Sequence, residues 1–578
     1  MAEQQKAISI LAADVGSVWT HACLIDCVEG VYRLIARAEE PTWHNAAPDA
    51  LAGVVNAVRR IERIAQRALL DGTSEPITPE QDGRGVDAFV LCANAAPPLS
   101  CALVGLTADL SLPSAAHACA GAMVRVTHTV ALGQRRAAEA LAALAPLVAA
   151  PPEVIILTGG FDNGPTAPQQ AAAEMLAAIF QATPVDRRPA VIYAGNQEAR
   201  RPVAHALGVG WKLAVVDNVR PSEVTESPLE LQRELAHVYD ERQLANLPGM
   251  DVLQRWCAVP PVSTADALGV SLQYLARRND LAGGVLGLDV GASTVGVFGV
   301  SEDSYEATVS ADLGTATGLR GLLDRREPWR IAQWLPYAID DNALTAALAN
   351  TSLRPEGIPQ TLNDLMLVQA AAREALRLAY GRWRDSRSAT SGQAGYGLIA
   401  ARGGSLAHSS QDGLAALVLL DALQPVGLAR LVLDWGSLWP QLGALAAINP
   451  LAASQVLDRD SVRDLGTALC PAGVLRMGER ALRLQLDRPG YGVQTVDVRF
   501  GDIIRLPLPA DETATLKVWP HPHLDVGLGK PGLPAQARVQ GGTLGVVVDV
   551  RGRPLQLAID EDERLGCQQL WIEHLCTP

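Results

Sequence analysis

The stretch Leu286-Gly287-Leu288-Asp289-Val290-Gly291-Ala292-Ser293-Thr294-Val295-Gly296-Val297-Phe298-Gly299-Val300 is a run of apolar residues interrupted by one acid and one small polar turn. Residues 10–25 repeat this pattern, with Asp14-Val15-Gly16-Ser17 at the corresponding place. In each copy an apolar strand ends in Asp-Val-Gly, and a second apolar strand follows the turn. The sequence therefore predicts two similar β-hairpins, each with an acid at its mouth.

The two turns have the composition of a phosphate site. Gly16 and Gly291 allow a sharp turn that brings backbone N–H groups close to a ligand. Hydroxyl groups are supplied by Ser17, Thr20, Ser293 and Thr294. Because a carboxylate repels phosphate, the expected role of Asp14 and Asp289 is to hold a hydrated Mg²⁺ that bridges the phosphate oxygens. An ordinary strand end is the alternative for either turn taken alone.

Length and composition indicate a multidomain globular protein. The chain has 578 residues, 48% of them hydrophobic and 19% charged, and a chain of this length is expected to form about two to four domains. A formal net charge of −14 argues against nucleic acid or an anionic membrane as the main partner. The cysteines lie mostly in apolar runs, which favours reduced thiols in a cytoplasmic protein. No apolar run reaches the length of a membrane helix, so we expect no membrane insertion.

The region between the two hairpins has a different pattern. From Val86 onward, short apolar strands alternate with helical stretches, which indicates a mainly parallel sheet covered on both faces. The candidate strands are residues 88–92, 102–106, 125–130, 153–158, 190–194 and 213–217. Polar residues follow three of these strands, at 159–163, 195–197 and 217–218. We interpret them as helix caps and turns, with a second ligand or partner pocket as the alternative.

The second hairpin also leads into polar junctions. Asp312 either orients an attacking water or caps a helix. A later buried strand ends before Gly403 and Gly404, whose bare backbone suits the flat face of adenine or ribose. Beyond residue 475, short strands with Gly and Pro turns indicate a β-sandwich or barrel, closed by a helix near residues 564–576. The predicted domains are residues 1–282, 283–472 and 473–578: two similar halves, the first with an α/β insertion, and a C-terminal β domain.

These motifs carry a resemblance. Asp14-Val-Gly-Ser, Asp289-Val-Gly-Ala-Ser-Thr and Gly403-Gly404 resemble the first phosphate, second phosphate and adenosine motifs of the actin, sugar kinase and Hsp70 superfamily of ATPases. Other stretches more closely resemble the glutamate mutase accessory protein family of the MutL or GlmL type, which is unrelated to the mismatch-repair protein called MutL. These stretches are residues 32–37, 155–160, 191–196 and 420–434.

The resemblance implies a fold and a role. The fold is a duplicated actin-like α/β fold of the ribonuclease H-like type, here with a C-terminal all-β domain. The role is that of an ATP-binding factor, with Mg²⁺, that acts as a chaperone or reactivating factor for an adenosylcobalamin-dependent mutase. A mutase subunit is then the expected partner.

Three places depart from the family pattern. Trp19-Thr20-His21 stands where the family has Thr-Thr-Lys, so a permanent positive charge is replaced by a group that is largely neutral at pH 7. Val295-Gly296 stands where an acid follows the second motif, and residues 93–98 replace a Ser-rich stretch. The sequence therefore predicts nucleotide binding and leaves hydrolysis open; a weak ATPase would use Asp14, Asp289 and Asp312.

Three classes of function follow. The leading hypothesis is the ATP-binding accessory factor. A small-molecule kinase of the same fold would need a base in the cleft, for which Asp312 is the candidate. An actin-like scaffold with a degenerate ATPase site would form homo-oligomers without nucleotide.

Overall fold

The computed structural model describes residues 8–44, 47–133, 135–279, 283–301, 305–386 and 395–577. These residues form two compact units. The large unit draws on Met1–Ala95, Pro248–Ala307 and Asp312–Pro578, and the small unit draws on Ala96–Leu247 and Thr308–Ala311. In sequence, the small unit is therefore an insertion into the large one. The predicted domain boundary at residue 282 falls outside the described residues.

The strands, in chain order, are β1 (Ile10–Val15), β2 (Trp19–Val28), β3 (Val31–Pro41), β4 (Trp43–His44), β5 (Ala47–Pro48), β6 (Ala88–Ala93), β7 (Leu99–Gly105), β8 (Val124–Ala131), β9 (Val154–Thr158), β10 (Ala190–Tyr193), β11 (Leu213–Val215), β12 (Val262–Ser263), β13 (Val285–Val290), β14 (Val295–Val300), β15 (Tyr305–Ser310), β16 (Leu398–Arg402), β17 (Gly427–Asp434), β18 (Val462–Cys470), β19 (Arg480–Arg488), β20 (Gly492–Arg499), β21 (Ile503–Leu506), β22 (Thr513–Pro520), β23 (Ala535–Gln540) and β24 (Val546–Asp549).

The α-helices are α1 (Ala50–Ala65), α2 (Ser111–Ala120), α3 (Ala137–Leu144), α4 (Pro146–Ala149), α5 (Ala167–Ile179), α6 (Arg200–Leu207), α7 (Leu229–Tyr239), α8 (Met250–Trp256), α9 (Thr264–Asn279), α10 (Leu319–Leu323), α11 (Pro328–Ala332), α12 (Asp341–Leu353), α13 (Leu362–Ser386), α14 (Gly404–Ala407), α15 (Asp412–Leu423), α16 (Trp439–Leu445), α17 (Pro450–Val456) and α18 (Glu561–Cys576). None of the described helices is long and apolar enough to span a bilayer.

The first sheet of the large unit is built on the Asp14 hairpin. Its strand order is β12-β6-β1-β2-β3, with β1 antiparallel to β2 and parallel to β6. The Gly16 N–H donates to the Trp19 carbonyl at 3.0 Å and closes the predicted turn. The predicted strand at residues 88–92 pairs with β1 instead of joining the inserted sheet. Both β1 and β6 are buried along their whole length, and two such strands are most stable side by side inside a sheet.

The second sheet repeats the first. Its order is β15-β14-β13-β16-β17-β18-β24-β21, and the first five strands match the order β3-β2-β1-β6-β12. The β13–β14 pair is antiparallel and the β13–β16 pair is parallel, as in the first sheet. In register, Asp14 pairs with Cys92 and Asp289 pairs with Arg402. The predicted duplicated actin-like α/β fold is confirmed.

One apolar core joins these two sheets. Side chains from β1 and β2 pack with side chains from β13, β14 and β16, and α9 and α16 contribute to the same cluster. A Cβ added at Gly443 in α16 would lie 1.7 Å from the carbonyl oxygen of Ala267 in α9, so the two helix backbones are in contact. The Asp434 carboxylate accepts from the N–H groups of Leu438 and Trp439 at 2.8 and 2.9 Å and caps α16.

The small unit is a parallel α/β unit. Its sheet has the order β11-β10-β9-β7-β8, and all four strand pairs are parallel. Its apolar core includes side chains of α3, α5 and α6. The predicted mainly parallel sheet is confirmed.

The C-terminal region adds an antiparallel sheet of order β20-β19-β22-β23, while β21 and β24 join the eight-stranded sheet. The strand β24 is buried on both faces: Val546 and Val548 belong to one apolar cluster and Val547 to another. Burial on both faces favours a position between two cores over one in a separate sandwich. The predicted terminal helix is present as α18, which packs on α15 where Gly413 meets Leu575. The independence of residues 473–578 as a domain stays a prediction.

The contact between α16 and α9 gives a stability prediction. Gly443→Ala places a methyl group on the Ala267 carbonyl, so we expect the free energy of unfolding to fall by about 1–3 kcal/mol. Gly381→Ala is the matched control, because within the described chain no atom lies within 4 Å of a Cβ added at this glycine of α13. That variant should gain about 0.5–1 kcal/mol. Urea unfolding measures both, and equal stability of Gly443→Ala and wild type would contradict the packing described.

Candidate functional site

Both hairpin turns open into one cavity of about 510 Å³ within the large unit. All but two of the predicted site residues line it. They are Asp14, Gly16, Ser17, Asp289, Gly291, Ser293, Thr294, Gly403 and Gly404. The remaining two, Thr20 and Asp312, lie elsewhere. The structure therefore brings together three motifs that are far apart in the sequence.

The two turns touch through hydroxyl groups. Ser17 Oγ lies 2.6 Å from Ser293 Oγ, and Ser293 Oγ is also hydrogen-bonded to Thr317 Oγ1. The two turns have the same backbone closure, since the Gly291 N–H donates to the Thr294 carbonyl at 2.9 Å just as the Gly16 N–H donates to Trp19. Small side chains thus bridge the turns, and hydroxyl groups from both halves face the same cavity.

The side chain of Arg402, which the sequence analysis did not select, lies between the two predicted acids. Its Nη2 is 3.1 Å from Asp14 Oδ2, its Nη1 is 3.3 Å from Asp289 Oδ2, and its Nε is 3.7 Å from Asp434 Oδ2. The Arg402 side chain is 7% exposed. A signal for it exists in the sequence: a cation ends a buried apolar strand directly before Gly403-Gly404.

Burial and mutual attraction set the charges of this cluster. Burial raises the pKa of Asp289, and it raises the pKa of Asp434 to about 6, in both cases against the attraction of Arg402. Burial alone would lower the pKa of Arg402, but the carboxylates of Asp289, Asp14 and Asp434 raise it above its ordinary value. The guanidinium is therefore charged at every physiological pH, and it offsets the repulsion between the acids.

The carboxylates of this cluster can be compared with the ligands that Mg²⁺ requires. This ion keeps a near-octahedral shell of oxygen atoms, most of them water, and needs open carboxylate oxygens. Asp14 accepts from Thr264 Oγ1 at 2.7 Å and from Arg402, and Asp289 accepts from Arg402. In the part of the chain that the structure describes, no group of three or more His, Cys, Asp or Glu side chains is arranged to hold a metal ion. With Arg402 in this position the residues do not fit Mg²⁺, and the assignment of Asp14 and Asp289 as its ligands stays a prediction.

Thr20 supports the first turn from behind. Its Oγ1 lies 2.8 Å from Thr42 Oγ1, and Thr42 donates to the Gly16 carbonyl at 2.8 Å. A Cβ added at Gly53 of α1 would lie 2.6 Å from Thr20 Oγ1. The side chain is buried between the turn and α1, so its contribution to the site is through the position of the turn.

Asp312 is held by two arginines. Its carboxylate lies 2.7 Å from Arg382 Nη1 and 2.6 Å from Arg325 Nη2. Burial would raise the pKa of Asp312, but the hydrogen bond from Arg382 and the charge of Arg325 lower it below its ordinary value. The structure does not place it among the residues that line the cavity. This position gives no support to the predicted role of Asp312 as a base, either to orient an attacking water or to activate the acceptor of a kinase.

Three side chains, those of Glu39, His408 and His21, form a rim at the cavity. His408 Nε2 lies 3.3 Å and His21 Nδ1 lies 3.6 Å from Glu39 Oε2. The contact with His408 lowers the pKa of Glu39 to about 2, and Glu39 in turn raises the pKa of His408. Burial lowers the pKa of His21 to about 4. At neutral pH the group at the family's lysine position is therefore uncharged.

One wall of the cavity is largely apolar. It is formed by Pro355, Ile358, Pro359, Leu362, Leu365 and Val368. Gly403 and Gly404 also contribute to the lining. Gly403 has φ +120°, and a Cβ there would lie 2.1 Å from the Val290 carbonyl oxygen, so the position requires glycine. Ser405 lines the cavity as well, and its buried Oγ has no hydrogen-bond partner among the described residues.

The polar residues that follow the strands of the small unit form hydrogen bonds within turns and helix caps. Asn218 Nδ2 donates to the Gly160 carbonyl at 3.0 Å and to Asp162 Oδ1 at 2.9 Å. Asn196 Oδ1 accepts from the Glu198 N–H at 3.0 Å. These contacts agree with the interpretation as caps and turns and give no support to a second pocket.

Solved structures of several enzymes and activators are similar to this chain. Nucleotide-free acetone carboxylase is 12% identical, with a TM-score of 0.33, and the match covers 86% of this chain and 81% of that chain. Component A of (R)-2-hydroxyglutaryl-CoA dehydratase from Acidaminococcus fermentans is 8% identical, with a TM-score of 0.28 and coverage of 78% and 98%. Glycerol dehydratase reactivase is 10% identical, with a TM-score of 0.30 and coverage of 76% and 99%. No curated protein matches the sequence.

A family match covers most of the chain. Residues 10–461 match the MutL protein family. The matched region includes both hairpins, the small unit and Gly403-Gly404. The resemblance drawn from the motifs is confirmed, and the chain belongs to the MutL protein family.

Proposed function

We propose that this protein is a nucleotide-binding accessory factor that reactivates an adenosylcobalamin-dependent mutase. The observation that carries the proposal is the meeting of two equivalent turns, through Ser17 and Ser293, at a single cavity. Family membership supports the accessory role. A cavity of about 510 Å³ also lies within the range of small-molecule sites.

The two ends of the cavity suit the two ends of a nucleotide. Hydroxyl groups of Ser17, Ser293 and Thr294 and the permanent charge of Arg402 line the end formed by the turns, where phosphate oxygens would accept hydrogen bonds. The apolar wall and the bare backbone at Gly403 suit a flat purine ring. The unpaired Ser405 hydroxyl is available to the base or the ribose.

A nucleotide in this cavity would act on the relative position of the two sheets, and through it on a bound mutase. Asp14 and Ser17 belong to the first sheet, whereas Asp289, Ser293 and Arg402 belong to the second. A ligand that contacts both walls favours the arrangement in which the sheets are closest, and its release favours a more open one. That difference in affinity between two states is what is needed to release a damaged cofactor from a mutase.

The cavity supports binding better than hydrolysis. Asp312, the predicted base, is held by Arg325 and Arg382 outside the lining. Glu39 lines the cavity, but His408 lowers its pKa to about 2, and so acidic a carboxyl group is a poor proton acceptor. We therefore assign nucleotide binding, without turnover, as the primary activity.

Calorimetry tests the nucleotide site. Replacing both Ser17 and Ser293 by alanine removes a hydroxyl from each turn, and we expect ATP affinity to fall by about tenfold, since each neutral hydrogen bond contributes about 0.5–1.5 kcal/mol. Ser222→Ala, in the small unit, is the control and should bind ATP like wild type. Equal affinity in the double variant, or no saturable binding by the wild-type protein, would count against the site.

The accessory role is tested by association. Wild-type protein should join an adenosylcobalamin-dependent mutase subunit in size-exclusion chromatography to a degree that changes with added ATP. Phosphoryl transfer from ATP to a sugar or carboxylic acid would instead favour a kinase. Stable oligomers that ignore nucleotide would favour a scaffold.

The ion pair between His408 and Glu39 makes the stability of the protein depend on pH. Since the folded pKa of His408 is raised, the stability from its ion pair with Glu39 is fully present below the unfolded pKa of about 6.5 and is lost as pH rises through the raised value. On the acid side it persists until Glu39 is protonated. His408→Gln should lower the free energy of unfolding by about 0.2–1 kcal/mol at mildly acidic pH and leave it unchanged at alkaline pH. Exposed His205→Gln is the control in urea unfolding at each pH; a difference independent of pH would refute the ion pair.

A further inference from the structure

We propose that Arg402 is a built-in substitute for the divalent cation at this site: its guanidinium occupies the position between the two acids, excludes a metal ion, and meets nucleotide phosphates in its place. The phosphate part of this inference rests on the proposed function. The exclusion of a metal ion does not, and it can be tested alone.

The repeat places different residues beside the two acids. Each half places one acid at the end of a buried strand and pairs it, in register, with a residue of the neighbouring parallel strand. In the first half that residue is Cys92, whose thiol donates to Asp14 Oδ1 at 3.5 Å. In the second half it is Arg402, which is long enough to reach Asp289 on its own sheet and Asp14 on the other. One side chain therefore spans the gap that a bridging metal ion would span.

The buried acids need a positive charge close to them. Asp14 is 2% exposed and the Arg402 side chain is 7% exposed. Two carboxylates at such a site need a cation, because an uncompensated buried charge is strongly destabilising. A mobile ion can supply that charge only when it is bound, whereas Arg402 supplies it at all times. Its raised pKa means that it does not lose the charge.

Oxygen atoms of both acids already accept hydrogen bonds from the protein. Asp14 accepts a hydrogen bond from Thr264 at Oδ1 and one from Arg402 at Oδ2. Asp289 accepts a hydrogen bond from Arg402 at Oδ2. A hydrated metal ion would have to displace the guanidinium from both acids. The displaced guanidinium would remain close to the ion, and two positive charges at short distance repel each other. Arg402 therefore opposes the binding of a second cation.

Arg402 has more hydrogen-bond donors than its contacts with the two acids use. A guanidinium has five N–H groups, and its contacts with Asp14 and Asp289 leave others free to reach a phosphate. Its Nε lies 3.7 Å from Asp434 Oδ2, so the donors left for a phosphate are the remaining N–H groups of the two Nη atoms. Of the described residues that line the cavity, Arg402 is also the sole lysine or arginine, because His21 stands at the family's lysine position. Phosphate binding at this site thus depends on one tethered cation.

Direct Mn²⁺ binding tests the exclusion without nucleotide. The electron paramagnetic resonance signal of free Mn²⁺ falls when the ion binds to protein. We expect titration of the wild-type protein to show no Mn²⁺ site that is sensitive to Asp289→Asn. Arg402→Gln should gain such a site, and the double variant Arg402→Gln with Asp289→Asn should lose it again. Arg488→Gln, which breaks an ion pair with Glu512 away from the cavity, is the control and should gain none.

Nucleotide titration with and without metal tests the substitution. Wild-type affinity for ATP should agree within about threefold between EDTA and excess Mg²⁺, whereas Arg402→Gln should bind ATP only with Mg²⁺. A wild-type Mn²⁺ site that Asp289→Asn abolishes, or a loss of more than about tenfold in wild-type affinity on adding EDTA, would overturn the inference. If Arg402→Gln does not fold, the comparison of wild type with Asp289→Asn still decides it. Absence of all ATP binding would overturn the proposed function, while the Mn²⁺ result would still decide the exclusion.

Discussion

The guanidinium of Arg402 holds the two halves of the large unit in register at the point where their turns meet. It pairs with Asp14 on the first sheet and with Asp289 on the second. The same three-carboxylate cluster includes Asp434, which caps α16, and Asp14 accepts from Thr264 at the start of α9. The two helices that fill the core between the sheets are thus tied to one buried charge network. Breaking any of these pairs would leave an uncompensated charge in a buried site, so the pairs favour the arrangement in which the turns are close together.

Duplication makes the site nearly symmetric, and the side chain of Arg402 breaks that symmetry. Both halves contribute an acid, a glycine turn closed by the same hydrogen bond, and a serine that meets its counterpart. At the register position beside each acid, however, the first half has Cys92 and the second has Arg402. One arginine is enough to connect the two halves, because its guanidinium reaches both Asp14 and Asp289.

The rest of the site follows from this arrangement. Small side chains are required where the turns touch, and the backbone at Gly403 passes too close to Val290 for any other residue. Thr20 supports the first turn through its hydrogen bond with Thr42, and Asp312 forms an ion pair with Arg382. Besides the acids, the cavity is lined by hydroxyl groups, one permanent cation and an apolar wall. This set agrees with the proposed role as a nucleotide-binding accessory factor.

Local sequence patterns determined the two hairpins, the inserted parallel sheet, the terminal helix and the glycine turns. They could do so because each depends on neighbours along the chain: the alternation of apolar residues, the position of glycine and the length of a run. Patterns could not assign residues 88–93 to the first sheet or β24 to the second, since a buried strand looks the same in any sheet. They could not find Arg402 as the centre of the site either. Its partners Asp14 and Asp289 lie 388 and 113 residues away, and only the packing of the two halves brings their charges together.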